Sequence, residues 1–180
     1  TNDEVTLILT KPLGIGIILA AQMRGRAPAE ALEGAYLAMA TSNAPVTAVI
    51  GACRVAAMTD VTGFGLARHA LNLAARCGFS GVHLTLDDIP LLAGAAELSA
   101  SGIASSLRDG NMRAVPEQHI APDLAPEKTA LLFDPQTSGG VLAAIPSTDA
   151  EPVIAALARL EGSLAVRIGR FTSVSGLTLS

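Results

Sequence analysis

Three segments of the sequence combine an apolar run, a polar residue and closely spaced glycines: residues 9–16 (LTKPLGIG), 57–66 (AMTDVTGFGL) and 132–140 (LFDPQTSGG). Glycine lets the backbone approach another group closely or adopt positive φ angles that other residues avoid. Each segment alone is a weak signal, because short glycine turns occur in many folds. Their polar residues are still the first candidates for binding chemistry.

The first and third segments contain candidate phosphate ligands. The Lys11 ammonium can attract a phosphate as a point charge, and an ordinary solvated lysine is the alternative interpretation. Thr137, Ser138, Gly139 and Gly140 can form a nest of backbone N–H groups that binds an anion. Alternatively, the two glycines serve only as a tight connection into the strand that follows.

Two aspartates in these segments have ordinary structural interpretations. Asp60 lies directly before a glycine turn, a position typical of a turn residue or a helix N-cap. Asp134 is expected to cap a helix or pair locally. The residues alone therefore do not assign either carboxylate to a binding site.

Other ionisable side chains lack the spacing of a chemical site. His69, His83 and His119 do not have metal-ligand spacing, and a satisfied or solvated histidine is expected at His69, within a predicted helix. Asp87 and Asp88 resemble a paired carboxylate site. They are better explained as acids at a helix N-terminus, where the helix dipole favours them.

Composition excludes several classes of protein. Half of the 180 residues are hydrophobic and 16% are charged, which is too apolar for a disordered segment. The net charge is −4 and no Lys/Arg cluster stands out, so we expect no nucleic-acid partner. No stretch approaches the roughly 20 apolar residues of a membrane span, so we expect no membrane partner.

The cysteines and the first residue bear on compartment and chain length. Cys53 and Cys77 lie far apart without a CxxC motif, which predicts two buried, reduced thiols and a cytoplasmic protein. The sequence begins at Thr1 and soon enters a strand-like segment. We interpret it as a fragment of a longer protein, although a processed N-terminus would look the same.

Hydrophobic periodicity predicts an α+β fold. Alternation predicts strands at residues 4–10, 81–86 and 164–171, a short apolar run predicts another at 141–145, and residues 176–179 are a further candidate strand. Helical spacing predicts helices at residues 15–25, 29–42, 64–77, 91–101, 126–133 and 148 to about 161. Several helices follow one another without an intervening strand. We therefore expect a mixed β-sheet with helices packed against it, in a single domain over residues 1–180.

Two local features accompany this pattern. Residues 101–126 are rich in Gly, Ser, Asn, Pro and charge, which predicts a long functional or mobile loop. Thr148 and Glu151 have the spacing of a capping box at the start of the last helix.

In this order, the strings LTKPLGIG, MTDVTGFG and DPQTSGG resemble the C-terminal domain of the selenophosphate synthetases (selenide, water dikinases) nearly letter for letter. The resemblance extends from Leu9 to about Ile145 at least. The wider superfamily includes aminoimidazole ribonucleotide synthetase, formylglycinamidine ribonucleotide synthetase, thiamine-monophosphate kinase and a hydrogenase maturation factor. Those relatives share the fold and the glycine turns. They do not share the DPQTSGG string in combination with the other two strings.

The resemblance implies an ATP- and magnesium-dependent enzyme. Such enzymes make selenophosphate from hydrogen selenide, ATP and water, and release AMP and phosphate. They have two domains and form homodimers mainly through the N-terminal domains, where ATP lies against several aspartates. The reactive Cys or selenocysteine and its Lys partner lie near the N-terminus. No catalytic residue is therefore expected in this chain, which should be inactive without its N-terminal partner domain.

The resemblance also implies that Asp60, in the TDVTGFG string, is a magnesium ligand. Mg²⁺ bridges ATP phosphates while taking one or two carboxylates from the protein. A single carboxylate does not hold Mg²⁺ tightly. The other ligands must therefore come from ATP, water and the N-terminal domain.

One departure from the family pattern leaves a local function in doubt. Ser105 and Ser106 stand where the family usually has Gly-Gly, in the stretch before Asn111.

Two alternatives to a selenophosphate synthetase domain remain: another ATP-dependent member of the superfamily, or a non-catalytic interaction domain. An exposed apolar face, where an N-terminal domain would dock, favours the fragment over a free-standing domain.

Overall fold

The computed structural model describes residues 4–115, 117–160 and 163–180, which form a mixed sheet covered by helices. The strands are β1 (Val5–Leu9), β2 (Ala57–Asp60), β3 (Gly81–Leu84), β4 (Gln118–Ile120), β5 (Val141–Pro146), β6 (Val166–Thr172) and β7 (Gly176–Leu179). The α-helices are α1 (Ile15–Gln22), α2 (Ala29–Ala40), α3 (Ala44–Gly51), α4 (Gly65–Arg76), α5 (Ala95–Ala100), α6 (Arg108–Arg113), α7 (Pro126–Leu131) and α8 (Ala150–Leu157). The predicted α+β class is confirmed.

The seven strands of the described residues lie in the order β2-β5-β1-β6-β3-β7-β4. Neighbours are antiparallel, except that β7 runs parallel to both β3 and β4. Strand β1 pairs with β5 from Val5↔Pro146 to Leu9↔Leu142, and β5 pairs with β2 from Ala57↔Ala144 to Asp60↔Val141. The C-terminal ends of β1 and β2 and the N-terminal end of β5 therefore meet at one edge of the sheet.

Alternate residues of the central strands enter cores on opposite faces of the sheet. Leu7 and Leu9 of β1 pack with α4, as the predicted one-face pattern requires, whereas Ile8 packs with α3 and α8. A third core joins α1, α2, α5 and Leu131 of α7 beside the sheet. Strand β1 is therefore buried on both faces.

The predicted loop over residues 101–126 is wrong in part. This stretch contains α6 and β4, and β4 is stabilised by parallel pairing with β7 (Gln118↔Leu177 to Ile120↔Leu179). A three-residue strand has too little pattern to be recognised in sequence, because its stability comes from a neighbour about 60 residues away.

Helix ends also differ from the sequence prediction. Helix α8 begins at Ala150 after a short 3₁₀ turn, and its N-cap Asp149 makes no side-chain capping bond, so the capping box is wrong. Thr148 and Asp149 instead contact Arg54. Helix α5 is shorter than the predicted residues 91–101, and the predicted end of the last helix at residue 161 lies outside the described residues.

The cysteines are less buried than predicted. Cys53 and Cys77 are free thiols, but each is partly exposed, since both lie at the margins of the cores. Within the described part of the chain, no helix has both the length and the apolar character needed to cross a membrane.

Candidate functional site

The three glycine-containing segments converge at the sheet edge where β1 and β2 end and β5 begins. They surround a pocket of about 250 Å³. Its lining includes Lys11 from the first segment, Asp60 from the second, and Ser138 and Gly139 from the third. The turn between α2 and α3 (residues 41–43) closes the other side. Residues separated by more than 120 positions in sequence are thus brought together by strand register.

Lys11 is buried within the wall of this pocket, with 7% of its surface exposed. Its Nζ donates hydrogen bonds to the carbonyl oxygens of Ala38 (3.0 Å), Thr41 (2.7 Å) and Ser138 (2.9 Å). Two of these carbonyls lie at the C-terminal end of α2, where unpaired carbonyls and the helix dipole favour a cation. The alternative of a solvated lysine is therefore wrong, while phosphate binding by Lys11 stays a prediction.

Burial and a neighbouring charge shift the pKa of the Lys11 ammonium in opposite directions. Desolvation lowers the pKa of Lys11, and the negative charge of Asp60 partly offsets that effect by raising it. All three N–H donors of the Lys11 ammonium are already directed at carbonyl oxygens. The ammonium therefore acts on the pocket mainly through the electrostatic field of its positive charge.

Asp60 is exposed at the end of β2, and its side chain takes no part in capping a helix. The N-cap of α4 is Phe64, which makes no side-chain capping bond, so the N-cap interpretation of Asp60 is wrong. Its Oδ1 accepts a hydrogen bond of 3.0 Å from Asn43 Nδ2. No described residue is in hydrogen-bond contact with the other carboxylate oxygen, Oδ2, which is therefore available to a ligand.

Asn43 was missed by the sequence analysis, in which it only follows the end of the predicted helix over residues 29–42. Its Nδ2 donates both to Asp60 Oδ1 and to the carbonyl oxygen of Gly139, at 2.9 Å. The side chain thus joins the second segment to the third. The signal in sequence was weak, because an Asn before Ala-Pro is an ordinary helix start.

The third segment makes the tight connection into β5 that the sequence allowed. A Cβ added at Gly139 would lie 2.2 Å from the carbonyl oxygen of Val61, and one at Gly140 would lie 2.5 Å from the backbone nitrogen of Lys11. Both glycines are therefore needed for close approach of the backbones. This structural interpretation is confirmed.

An anion nest in the same turn stays a prediction. Ser138 has a φ of 50°, a left-handed value that is uncommon outside glycine and occurs in such nests. Thr137 and Ser138 are exposed, and their N–H groups make no hydrogen bond to any residue that the structure describes. Those groups are free to meet a solute anion.

Asp134 and Gln136 attach the first segment to the third. Asp134 is fully buried, and its Oδ2 accepts a hydrogen bond of 2.7 Å from the N–H of Ile17 in the first turn of α1. Gln136 Oε1 accepts from the N–H groups of Gly14 and Ile15, each at 3.2 Å. Asp134 was expected to cap or pair locally, whereas its hydrogen bond goes to a helix that is distant in sequence.

Asn111 of α6 also joins the second segment to the third. Its Nδ2 donates to the carbonyl oxygens of Gly63 (2.8 Å) and Phe133 (2.9 Å). The stretch in which Ser-Ser replaces the family's Gly-Gly therefore leads into a helix that joins the second and third segments.

His69 of α4 is a satisfied histidine, as expected. Its Nε2 accepts the backbone N–H of Thr62 at 3.1 Å, which requires this nitrogen to be unprotonated. Desolvation lowers the pKa of His69, and Asp60 partly counteracts this by raising it. The neutral ring therefore holds the turn that follows Asp60.

The described residues contain no group of three His, Cys, Asp or Glu side chains placed to hold a metal ion. Asp60 is therefore suited to supply one ligand and not a complete cage. Such a site matches Mg²⁺, which usually takes one or two carboxylates and completes its octahedron with phosphates and water.

The chain resembles one described family over nearly its whole length. Residues 3–180 match the model of "AIR synthase related protein, C-terminal domain". The chain is 34% identical over 172 residues to "Selenide, water dikinase" of Carboxydothermus hydrogenoformans, covering 95% of this chain and 49% of that protein. It is 37% identical over 172 residues to the protein of the same name from Salmonella typhimurium, covering 94% and 48%. The chain spans about half the length of these relatives.

Solved structures share the fold at lower identity. The thiamine-monophosphate kinase of Stenotrophomonas maltophilia has a TM-score of 0.69 and 14% identity, covering all of this chain and 51% of that one. E. coli HypE, a hydrogenase maturation protein, has a TM-score of 0.69 and 19% identity, covering 99% and 46%.

Proposed function

Because the chain belongs to the AIR synthase related protein, C-terminal domain family, and its sequence relatives are selenide, water dikinases, we propose that residues 1–180 act as the single C-terminal domain of such an enzyme. The whole enzyme then makes selenophosphate from selenide, ATP and water, and releases AMP and phosphate. The observation that carries this proposal is the pocket in which Lys11, Asp60, Ser138 and Gly139 meet. A carboxylate, a cation and N–H groups without a described hydrogen-bond partner all line this one pocket.

In the proposed reaction, Asp60 Oδ2 is the protein ligand that this domain offers to Mg²⁺. When bound, Mg²⁺ neutralises charge on the phosphates of ATP. ATP, water and the N-terminal domain supply the remaining ligands. Thr137 and Ser138 present N–H groups to a phosphate oxygen, while Lys11 contributes positive field from within the wall.

The nucleophile is proposed to lie in the N-terminal domain. Neither cysteine of this chain lines the pocket. Burial raises the pKa of the Cys77 thiol despite the nearby positive charge of Arg76, which disfavours the reactive thiolate. Cys53 Sγ donates to the carbonyl oxygen of Val49 one helical turn before it. Both thiols are suited to packing rather than to attack.

Exposed apolar side chains near the pocket support docking of an N-terminal domain. Phe64, in the glycine turn after Asp60, is 62% exposed, and Leu37 of α2 is 69% exposed. Both lie in segments that contribute residues to the pocket wall, and an N-terminal domain that docks there would cover them. We further propose that the whole enzyme is a cytoplasmic homodimer that supplies selenium for selenocysteine biosynthesis.

The test is reconstitution followed by phosphorus NMR. The chain is mixed with ATP, Mg²⁺ and selenide under anaerobic conditions, with and without the N-terminal domain of the same enzyme. We expect AMP and selenophosphate only when both domains and selenide are present. ATP consumption that does not depend on selenide would indicate another member of the superfamily. Absence of product with both domains present would favour an interaction domain.

A further inference from the structure

Asn43 occupies a helix N-cap position but does not cap its helix. It precedes α3, yet makes no side-chain bond to the N–H groups of that helix. Asparagine is among the preferred N-cap residues because its side-chain oxygen accepts such a bond. Here Ser42 Oγ accepts the N–H of Ala44 instead, at 3.1 Å. The asparagine side chain is directed away from its own helix and into the site.

The direction of the Asn43 carboxamide is fixed by its two partners. A carboxylate oxygen and a backbone carbonyl oxygen can only accept, so the NH₂ group must face Asp60 Oδ1 and Gly139 O. A flipped amide would place its oxygen against two acceptors. In the observed orientation, Asn43 Oδ1 is buried and has no partner among the described residues. The contacts to Asp60 and Gly139 therefore outweigh an unsatisfied acceptor.

We propose that Asn43 is a positioning residue, which holds Asp60 by Oδ1 so that Oδ2 alone is presented to the metal. The same side chain fixes Gly139, and hence the Ser138 turn, at a set distance from that carboxylate. This inference rests on the proposed function, because it assigns Asp60 the metal. It adds that Asp60 binds through one oxygen and that its orientation is set by a residue outside the three segments.

A merely structural bond is the competing explanation, and the chain offers a matched control. Asn111 also uses Nδ2 to join the second and third segments, through the carbonyls of Gly63 and Phe133. Among the described residues, Asn111 makes no hydrogen bond to Asp60. Asn111→Ala should therefore weaken the support of the same segments without releasing the carboxylate.

The experiment uses Mn²⁺ as the probe on the full 180-residue chain. Paramagnetic broadening of backbone NMR signals around Asp60 reports weak metal binding at that residue. Asn43→Ala should raise the Mn²⁺ dissociation constant about tenfold, the usual effect of losing a partner that orients a ligand. Asn111→Ala should change it by less than about twofold, and Asp60→Ala should abolish local broadening. Equal losses in the two asparagine variants, or no loss in Asn43→Ala, would overturn the proposal.

Crystal structures of the chain and of Asn43→Ala provide a readout that needs no metal. The Asp60 carboxylate should turn away from its original position in Asn43→Ala and stay in place in Asn111→Ala. An unmoved carboxylate in Asn43→Ala would refute positioning by Asn43. If the unmodified chain shows no broadening near Asp60, metal binding by this domain on its own fails, while the proposed function is judged separately by the reconstitution assay. Movement of the carboxylate would then still establish that Asn43 orients it.

Discussion

Asp134 Oδ2 lies 2.7 Å from the backbone nitrogen of Ile17, which places a buried carboxylate at the N-terminus of α1. Burial raises the pKa of Asp134 from its ordinary 3.8 to about 6. The hydrogen bond from Ile17, the nearby Ser105 and the positive charge of Arg108 oppose this rise without cancelling it. The carboxylate that joins the first and third segments therefore titrates in a range where it can be measured.

The pKa of Asp134 predicts that stability falls as pH rises through about 6. The pKa of Asp134 is higher in the folded than in the unfolded state. Its protonation therefore contributes fully to stability below pH 3.8, and this contribution is lost as the pH rises through the folded-state pKa of about 6. The difference between the two pKa values corresponds to about 3 kcal/mol. Asp134→Asn cannot ionise, so its free energy of unfolding should lack this loss. Urea unfolding of both proteins at pH 4 and pH 7.5 measures the effect.

Other groups also titrate between these pH values, so the informative quantity is the difference between the two proteins. That difference should move in favour of Asp134→Asn as pH rises. Asp123→Asn, at an exposed aspartate, is the matched control and should follow the unmodified chain. A difference that stays constant with pH would show that folding does not raise the pKa of Asp134.

Lys11→Met should lower the free energy of unfolding by about 1–3 kcal/mol, because three carbonyls lose a buried donor. Methionine keeps most of the apolar stem, ends one atom short of Nζ, and removes the three hydrogen bonds and the charge. Lys128→Met is the control: Lys128 is partly exposed and pairs with the exposed Asp87, so a change of at most about 1 kcal/mol is expected. Equal effects in urea unfolding would mean that Lys11 is solvated after all.

Gly139→Ala should destabilise the chain by about 1–3 kcal/mol, since its Cβ would lie 2.2 Å from Val61 O. Gly63, in the neighbouring turn, has no atom within 4 Å of an added Cβ. Gly63→Ala should therefore change stability by no more than about 0.5 kcal/mol. Thermal unfolding followed by circular dichroism compares the two. A neutral Gly139→Ala would remove the requirement for close backbone approach at this turn.

The sequence predicted those elements whose burial pattern is local. The alternation of Val5, Leu7 and Leu9 predicted β1 and the side chains that it directs toward α4, but not the burial of Ile8 on the opposite face. Helical spacing predicted α4, whose Ala67 and Ala74 enter the core, and Gly78, with a φ of 80°, follows its C-terminal end. Such patterns succeed because each residue's environment follows from its position within one element.

Elements that depend on distant partners could not be predicted. Strand β4 exists through its pairing with β7, and α6 is attached through Asn111 to carbonyls in two other segments. For the same reason, the sequence supplied Lys11, Asp60 and the turn at residues 137–140 as separate candidates but not Asn43. The role of Asn43 arises only when strand register brings Asp60 and Gly139 to the same edge.

The most direct test of the account is Asp60→Ala in the whole enzyme, with selenophosphate and AMP followed by phosphorus NMR at several Mg²⁺ concentrations. We expect magnesium-dependent selenophosphate formation to fall on the order of a hundredfold or more, with an unchanged circular dichroism spectrum. Asp123→Ala, at an exposed aspartate outside the pocket, should retain activity. Full activity in Asp60→Ala would remove Asp60 from the site and contradict the central claim.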